Sequence, residues 1–141
     1  MTGKLATMLN IPLLLVFVAL AGPVCKAVAQ EIEAKNYGGI AYMSGGIGLD
    51  EREQMERMGE GYNLKLIFAV QQGNFVSDVQ VTITDGSGKT LLAAVSDGPW
   101  LFAKLPAGAY TIAATHLGQT ISKPAKVGAS GRTQVSLVWA R

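Results

Sequence analysis

Val79-Gln80-Val81-Thr82-Ile83-Thr84 alternates apolar and polar residues without a break, and Asp85-Gly86-Ser87-Gly88 follows it directly. Strict alternation puts every second side chain on one face of a half-buried strand. The Asp/Gly/Ser cluster then supplies the positive backbone angles of a hairpin turn. Residues 90–95 read as the returning strand. Working outward, residues 64–70 form an apolar strand closed by the turn Gln71-Gln72-Gly73-Asn74. On the other side, Ser96-Asp97-Gly98-Pro99 turns the chain into residues 100–105, and Leu105-Pro106-Ala107-Gly108 turns it again. Strands at 110–115, 120–127 and 133–139 complete the run, separated by Leu117-Gly118 and Gly128-Ala129-Ser130-Gly131. Seven short strands with turn signals every 8–12 residues or so imply an all-β, antiparallel sandwich. Val135, Leu137 and Trp139 share one face of the last strand, expected to be core.

Before this run the character of the chain changes twice. Lys4, the apolar stretch from Leu13 to Ala21, the breakers Gly22-Pro23 and the small-x-small triplet Ala27-Val28-Ala29 have the layout of a cleaved export leader over residues 1–29. The apolar stretch is shorter than the roughly 20 residues a membrane-spanning helix needs. Cys25 lies inside the leader, and Pro23 fits the small-residue box of a lipoprotein badly. Cleavage after Ala29 therefore leaves a periplasmic or secreted protein with no cysteine, no disulfide, no thiol nucleophile and no transmembrane anchor.

Residues 30–62 form an acidic segment. Its seven carboxylates (Glu31, Glu33, Asp50, Glu51, Glu53, Glu56 and Glu60) face only Lys35, Arg52 and Arg57, a balance of −4. Residues 63–141 carry seven bases against Asp78, Asp85 and Asp97, a balance of +4. Opposite signs allow the segment to dock on its own sandwich or on a neighbour. No basic cluster is dense enough for nucleic acid. Within the segment, residues 30–35 read as frayed. Residues 37–43 read as a short strand or an irregular approach, and 44–48 as a flexible turn. A short helix is expected from an Asp50 N-cap, with Glu53 completing a capping box, to about Met58 before Gly59. Met55 and Met58 are expected to share its packed face.

The stretch from Asn63 to Ala140 resembles the carboxypeptidase regulatory-like domain family, a prealbumin-like sandwich. Val79-x-Val81-x-Ile83 resembles the strand before its first hairpin. Ser96-Asp97-Gly98 resembles its Thr-Asp-x-Gly position, and Leu105-Pro106-Ala107-Gly108-Ala109-Tyr110 its Leu-Pro-x-Gly-x-Tyr motif. Together with the leader, the chain is similar to exported proteins of Gram-negative bacteria. The resemblance implies an accessory module without peptidase chemistry. It also implies a left-handed Gly108 in the turn, with the Tyr110 ring against it.

Candidate chemistry is sparse. His116 is the one histidine, expected in an exposed turn, so no zinc ligand set is evident. No nucleophile elbow surrounds Ser77, Ser87 or Ser96, and no base accompanies them. Ser44-Gly45-Gly46-Ile47-Gly48 lacks the Lys-Ser/Thr of a phosphate loop, and the Asp50-Glu51 that follows would repel an anion. Asp85-Gly86-Ser87-Gly88 has one carboxylate, too few for calcium. Lys65 sits where related surface domains carry a Lys–Asn crosslink, but residues 133–139 hold no asparagine. No catalytic, metal or cofactor residue is expected. Trp100 and Phe102 face one side with Lys104. They are either core, with Lys104 reaching to water, or an aromatic strip for a sugar or partner. Core is the favoured reading. The expected function is a non-enzymatic envelope module that binds another protein or itself through its acidic segment and sheet edges. Carbohydrate binding is the alternative, and a transthyretin-like hydrolase the least favoured.

Overall fold

The computed structural model describes residues 32–140, so the expected leader and Cys25 lie outside the described residues. The elements in chain order are β1 (Lys35–Tyr37), β2 (Ile40–Gly45), α1 (Leu49–Met58), β3 (Leu64–Val70), β4 (Gln80–Asp85), β5 (Thr90–Val95), β6 (Trp100–Ala103), β7 (Gly108–His116), β8 (Gln119–Val127) and β9 (Thr133–Trp139). They form two sheets, β1-β2-β6-β3-β9 and β5-β4-β7-β8. The alternation of β4 is realised as read, with Val81 and Ile83 buried against Leu66, Phe68, Leu101, Ile112, Leu137 and Trp139 between the sheets. Val135, Leu137 and Trp139 all face this core.

Two features depart from the expected seven-stranded antiparallel sandwich. The described residues hold nine strands, because 35–45 add a hairpin, β1–β2, to the larger sheet. In addition β9 runs parallel to β3, with Leu64 beside Thr133 and Val70 beside Trp139. Beyond Asn63 the strands do number seven, β3 to β9.

The segment 44–48 is not a flexible turn throughout. Ser44 and Gly45 end β2 and are buried. The Ser44 hydroxyl donates to the Trp100 carbonyl and accepts from the Asp97 amide, both at 2.9 Å. The helix begins two residues earlier than the capping box implied. Its N-cap is Gly48, without a side-chain cap, so Asp50 lies in the first turn, where its charge still favours the helix dipole. Met55 is fully buried and Met58 half-buried, as the spacing required. Gly108 opens β7 without a positive φ, contrary to the reading from the resemblance. The Tyr110 hydroxyl nevertheless closes the turn by donating to the Pro106 carbonyl. Asn63 clamps the same turn, donating to the Leu105 carbonyl at 2.6 Å and accepting from its amide at 2.9 Å.

Candidate functional site

Strand alternation gives the larger sheet a second apolar face, turned away from the sandwich core. In β6, Leu101 and Ala103 point inward, while Trp100 and Phe102 point outward. In β2 Met43 points outward, and in β3 so does Lys65. Helix α1 lies on this face, and Ile32, Met43, Met55 and Phe102 make a small core beneath it. Lys65 is only 7 % exposed. Its ammonium lies 3.6 Å from the Trp100 ring centre and 5.5 Å from that of Phe102. It also donates to Glu56 Oε1 at 2.6 Å. Arg132 donates to Glu56 Oε2 and to the Gly59 carbonyl, each at 2.9 Å, while its guanidinium lies 4.8 Å from the Phe102 ring centre. One carboxylate thus fastens the helix to two cations of the sandwich. The Lys65 hydrogen bond, then that of Arg132, holds the Glu56 carboxyl below its ordinary 4.5. A third link, Lys35 to Asp97 at 2.8 Å, ties β1 to the turn after β5. These contacts are where the acidic segment meets the basic remainder of the chain.

The three residues singled out from the sequence are not one strip. Phe102 is fully buried and Trp100 half-buried, their rings stacked at 6.0 Å. Lys104 is exposed, on a polar cleft of about 430 Å3 with Tyr62, Asn63, Ser130 and Arg132, at the lower pole, the end of the sandwich where β3 and β9 begin. Trp100 instead lines a groove of about 610 Å3 with Leu49, Arg52, Glu53, Glu56, Arg57 and Phe75. The Trp100 Nε1 is enclosed and has no hydrogen-bond partner among the described residues. Phe75 is placed by the 71–78 loop, which folds back so that Phe75 bridges Ala69 of β3. Arg52 lies 5.3 Å over its ring.

This groove opens at the pole where β2 ends, β4 begins and the β7–β8 turn lies. Leu49 (65 % exposed) and Phe75 (50 %) line it, Ile47 (57 %) lines the cleft that adjoins it at Phe75, and Leu117 (87 %) is exposed in the β7–β8 turn of the smaller sheet. Leu117 takes a left-handed φ of 49° in its turn. Sequence reasoning passed over Ile47, Leu49 and Phe75 because each stands alone in a polar or Gly-rich loop. Only the fold gathers them. His116 ends β7 half-buried, its ring 5.5 Å from that of Trp139, rather than free in a turn. No group of three His, Cys, Asp or Glu side chains that could hold a metal occurs among the described residues.

No protein-family model and no curated protein matches the chain.

Proposed function

We propose that this chain is an exported, non-catalytic β-sandwich module that binds another envelope protein through the apolar groove between α1 and the 71–78 loop. The proposal includes the cleaved leader over 1–29, a periplasmic or secreted destination, and kinship with the carboxypeptidase regulatory-like domains. The observation that carries the reading is the exposure of Leu49 and Phe75 on a groove lined by Trp100, with Ile47 on the cleft that adjoins it at Phe75. Contiguous exposed apolar surface costs solubility unless something covers it. The rim carries both signs, Arg52 and Arg57 with Glu53 and Glu56. That suits a protein segment that anchors one large apolar side chain between mixed charges.

A sugar stacks on an open aromatic face. Here Phe102 lies under the helix, and Trp100 is engaged by the Lys65 ammonium and the Phe102 ring. The protein reading is therefore preferred over the carbohydrate one. The test is site-specific photo-crosslinking of the exported chain in its own envelope, with the reactive group at Leu49, Phe75 or, as control, Lys126. One discrete adduct from Leu49 and Phe75, lost in Arg52→Glu and not formed from Lys126, is the expected result. Equal adducts from all three positions would overturn the reading, as would an oligosaccharide that quenches the indole fluorescence and blocks the crosslink.

A further inference from the structure

The charge around the groove is less balanced than a count of its rim suggests. Four ionised side chains line it: Arg52, Glu53, Glu56 and Arg57. Glu56 is already spent. Its Oε1 accepts from Lys65 at 2.6 Å and its Oε2 from Arg132 at 2.9 Å. Two cations on one carboxylate leave that corner net positive. The other carboxylates of the first helical turns stand apart: neither Asp50 nor Glu51 lines the groove, and Glu51 lies by Gly45 on the side of Ile32 and Met55. Glu53 alone remains as a lining carboxylate without an ion-pair partner among the described residues.

The two arginines are unspent. Neither Arg52 nor Arg57 forms an ion pair among the described residues. Arg52 is half-buried and lies 5.3 Å over the Phe75 ring, a contact that leaves its charge uncompensated. Arg57 is exposed. With Lys65 and Arg132 behind Glu56, four cations stand against two carboxylates, a balance of +2. Leu49, Phe75 and Trp100 thus form an apolar lining under a surplus of cation. A guanidinium beside apolar surface is poorly hydrated, and an anion that brings an apolar body with it satisfies both.

Resting on the reading of this groove as a protein-binding site, we infer that the partner segment is acidic. It is an extended stretch that seats one large apolar side chain against Phe75 and Trp100 and offers carboxylates to Arg52 and Arg57. The arginines are five residues apart, about 7.5 Å along the axis of α1. Alternate side chains of an extended chain share a face and are about 6.8 Å apart. A segment laid along α1 therefore fits with an apolar residue first, toward Leu49, and acidic residues third and fifth. A basic segment would meet like charge at both arginines. A fatty acid would satisfy one arginine, but its chain gains by enclosure, and Leu49 and Phe75 are each half exposed or more.

The test adds peptide competition to photo-crosslinking from Leu49 and Phe75 in the envelope. The probes are blocked pentapeptides with phenylalanine first, serine second and fourth, and either glutamate or lysine third and fifth. The glutamate peptide is expected to block the adduct at a concentration about tenfold or more below that of the lysine peptide, the difference shrinking at high salt. Arg52→Gln and Arg57→Gln are each expected to weaken the adduct, and Lys126→Gln to leave it unchanged. An adduct kept in both arginine variants and blocked equally by the two peptides would overturn the inference while the groove reading stands. An adduct from neither position would remove both. Dodecanoate that blocks the adduct where the glutamate peptide does not would assign the groove to a lipid and overturn the inference as well.

Discussion

Gly98 is the position where a single carbon should do most damage. It lies between β5 and β6, where the chain crosses from the smaller sheet to the larger. A Cβ there would overlap the Gly45 carbonyl oxygen and come within 2.5 Å of its carbonyl carbon and 2.9 Å of its Cα. These are backbone atoms of β2, not the end of a side chain that can swing away. Neither strand can retreat cheaply, because the Ser44 hydroxyl bonds both the Asp97 amide and the Trp100 carbonyl across this contact. Overpacking costs about 1–3 kcal/mol, and stretching two hydrogen bonds adds about 1 kcal/mol more, giving ~2–4 kcal/mol for Gly98→Ala. For a domain of this size that is a fall in Tm of about 8–16 °C. Gly108→Ala is the matched control. Its Cβ would meet only the Tyr110 ring and hydroxyl, at 3.6 Å or more, in an exposed position. A change within about 0.5 kcal/mol is expected there. Thermal melts followed by near-ultraviolet circular dichroism measure both. A Gly98→Ala variant that melts with the parent, or below which Gly108→Ala falls, would refute the packing argument.

Gly45→Val is expected to melt well below Gly108→Val, since a Cβ at Gly45 presses on the Ile32 side chain and lies 3.1 Å from Glu51 Oε1, whereas Gly108 is open. Glu56→Gln is expected to cost about 1 kcal/mol, reduced by solvent screening because the Glu56 side chain is 45 % exposed, with denaturant titration as the readout. The depressed Glu56 carboxyl contributes stability that is full above its ordinary 4.5 and fades as pH falls through the lower folded value. Acid titrations should therefore show a shallower loss of stability below pH 4.5 in Glu56→Gln than in the parent. Asn63→Ala strands the Leu105 amide and carbonyl and should cost about 1–3 kcal/mol, seen as a lower denaturant midpoint with an unchanged slope. N-terminal sequencing of the exported form should begin at Gln30, whereas a mature protein retaining a lipid-bearing Cys25 would contradict the proposed leader.

The parts of the fold that were legible are those where a local pattern and the tertiary environment agree. The alternation of 79–84 and of Val135, Leu137 and Trp139 needs only one buried face, and both segments found one. The parts that were not legible depend on partners distant in sequence. Ser44-Gly45-Gly46 has the composition of a loose turn, yet Gly45 is buried because Gly98 packs on it. Nothing within β3 or β9 announces that they run side by side, and parallel pairing leaves no turn signal between them. Lys65 interrupts an apolar strand in the sequence, and its burial follows only once Glu56 and Trp100 are brought to it. Gly108 marked the right turn for the wrong reason: the reversal is held by Tyr110 and Asn63 rather than by a left-handed glycine.

The groove is a consequence of unequal lengths. The outward face of the larger sheet is apolar along Met43, Trp100 and Phe102, with half-buried Ile67 and Ala69 and with Val138 43 % exposed at its edge. Strands of seven residues run about 23 Å, and the sheet is roughly 19 Å across its five strands. A helix of ten residues is about 15 Å long and 10 Å wide, so α1 can shelter only part of that face. The helix is anchored toward the lower pole, where Met55 meets Phe102 and Glu56 meets Lys65 and Arg132. The shortfall therefore falls at the upper pole, beside Trp100. A further helical turn after Gly59 would not close it, because the chain there passes directly through Asn63 into β3 at Leu64. Extension from the other end is blocked by Gly46 and Gly48, both at left-handed φ (93° and 84°), where a helix cannot propagate. Among the described residues, uncovered apolar surface next to Trp100 is thus set by the backbone at both ends of α1.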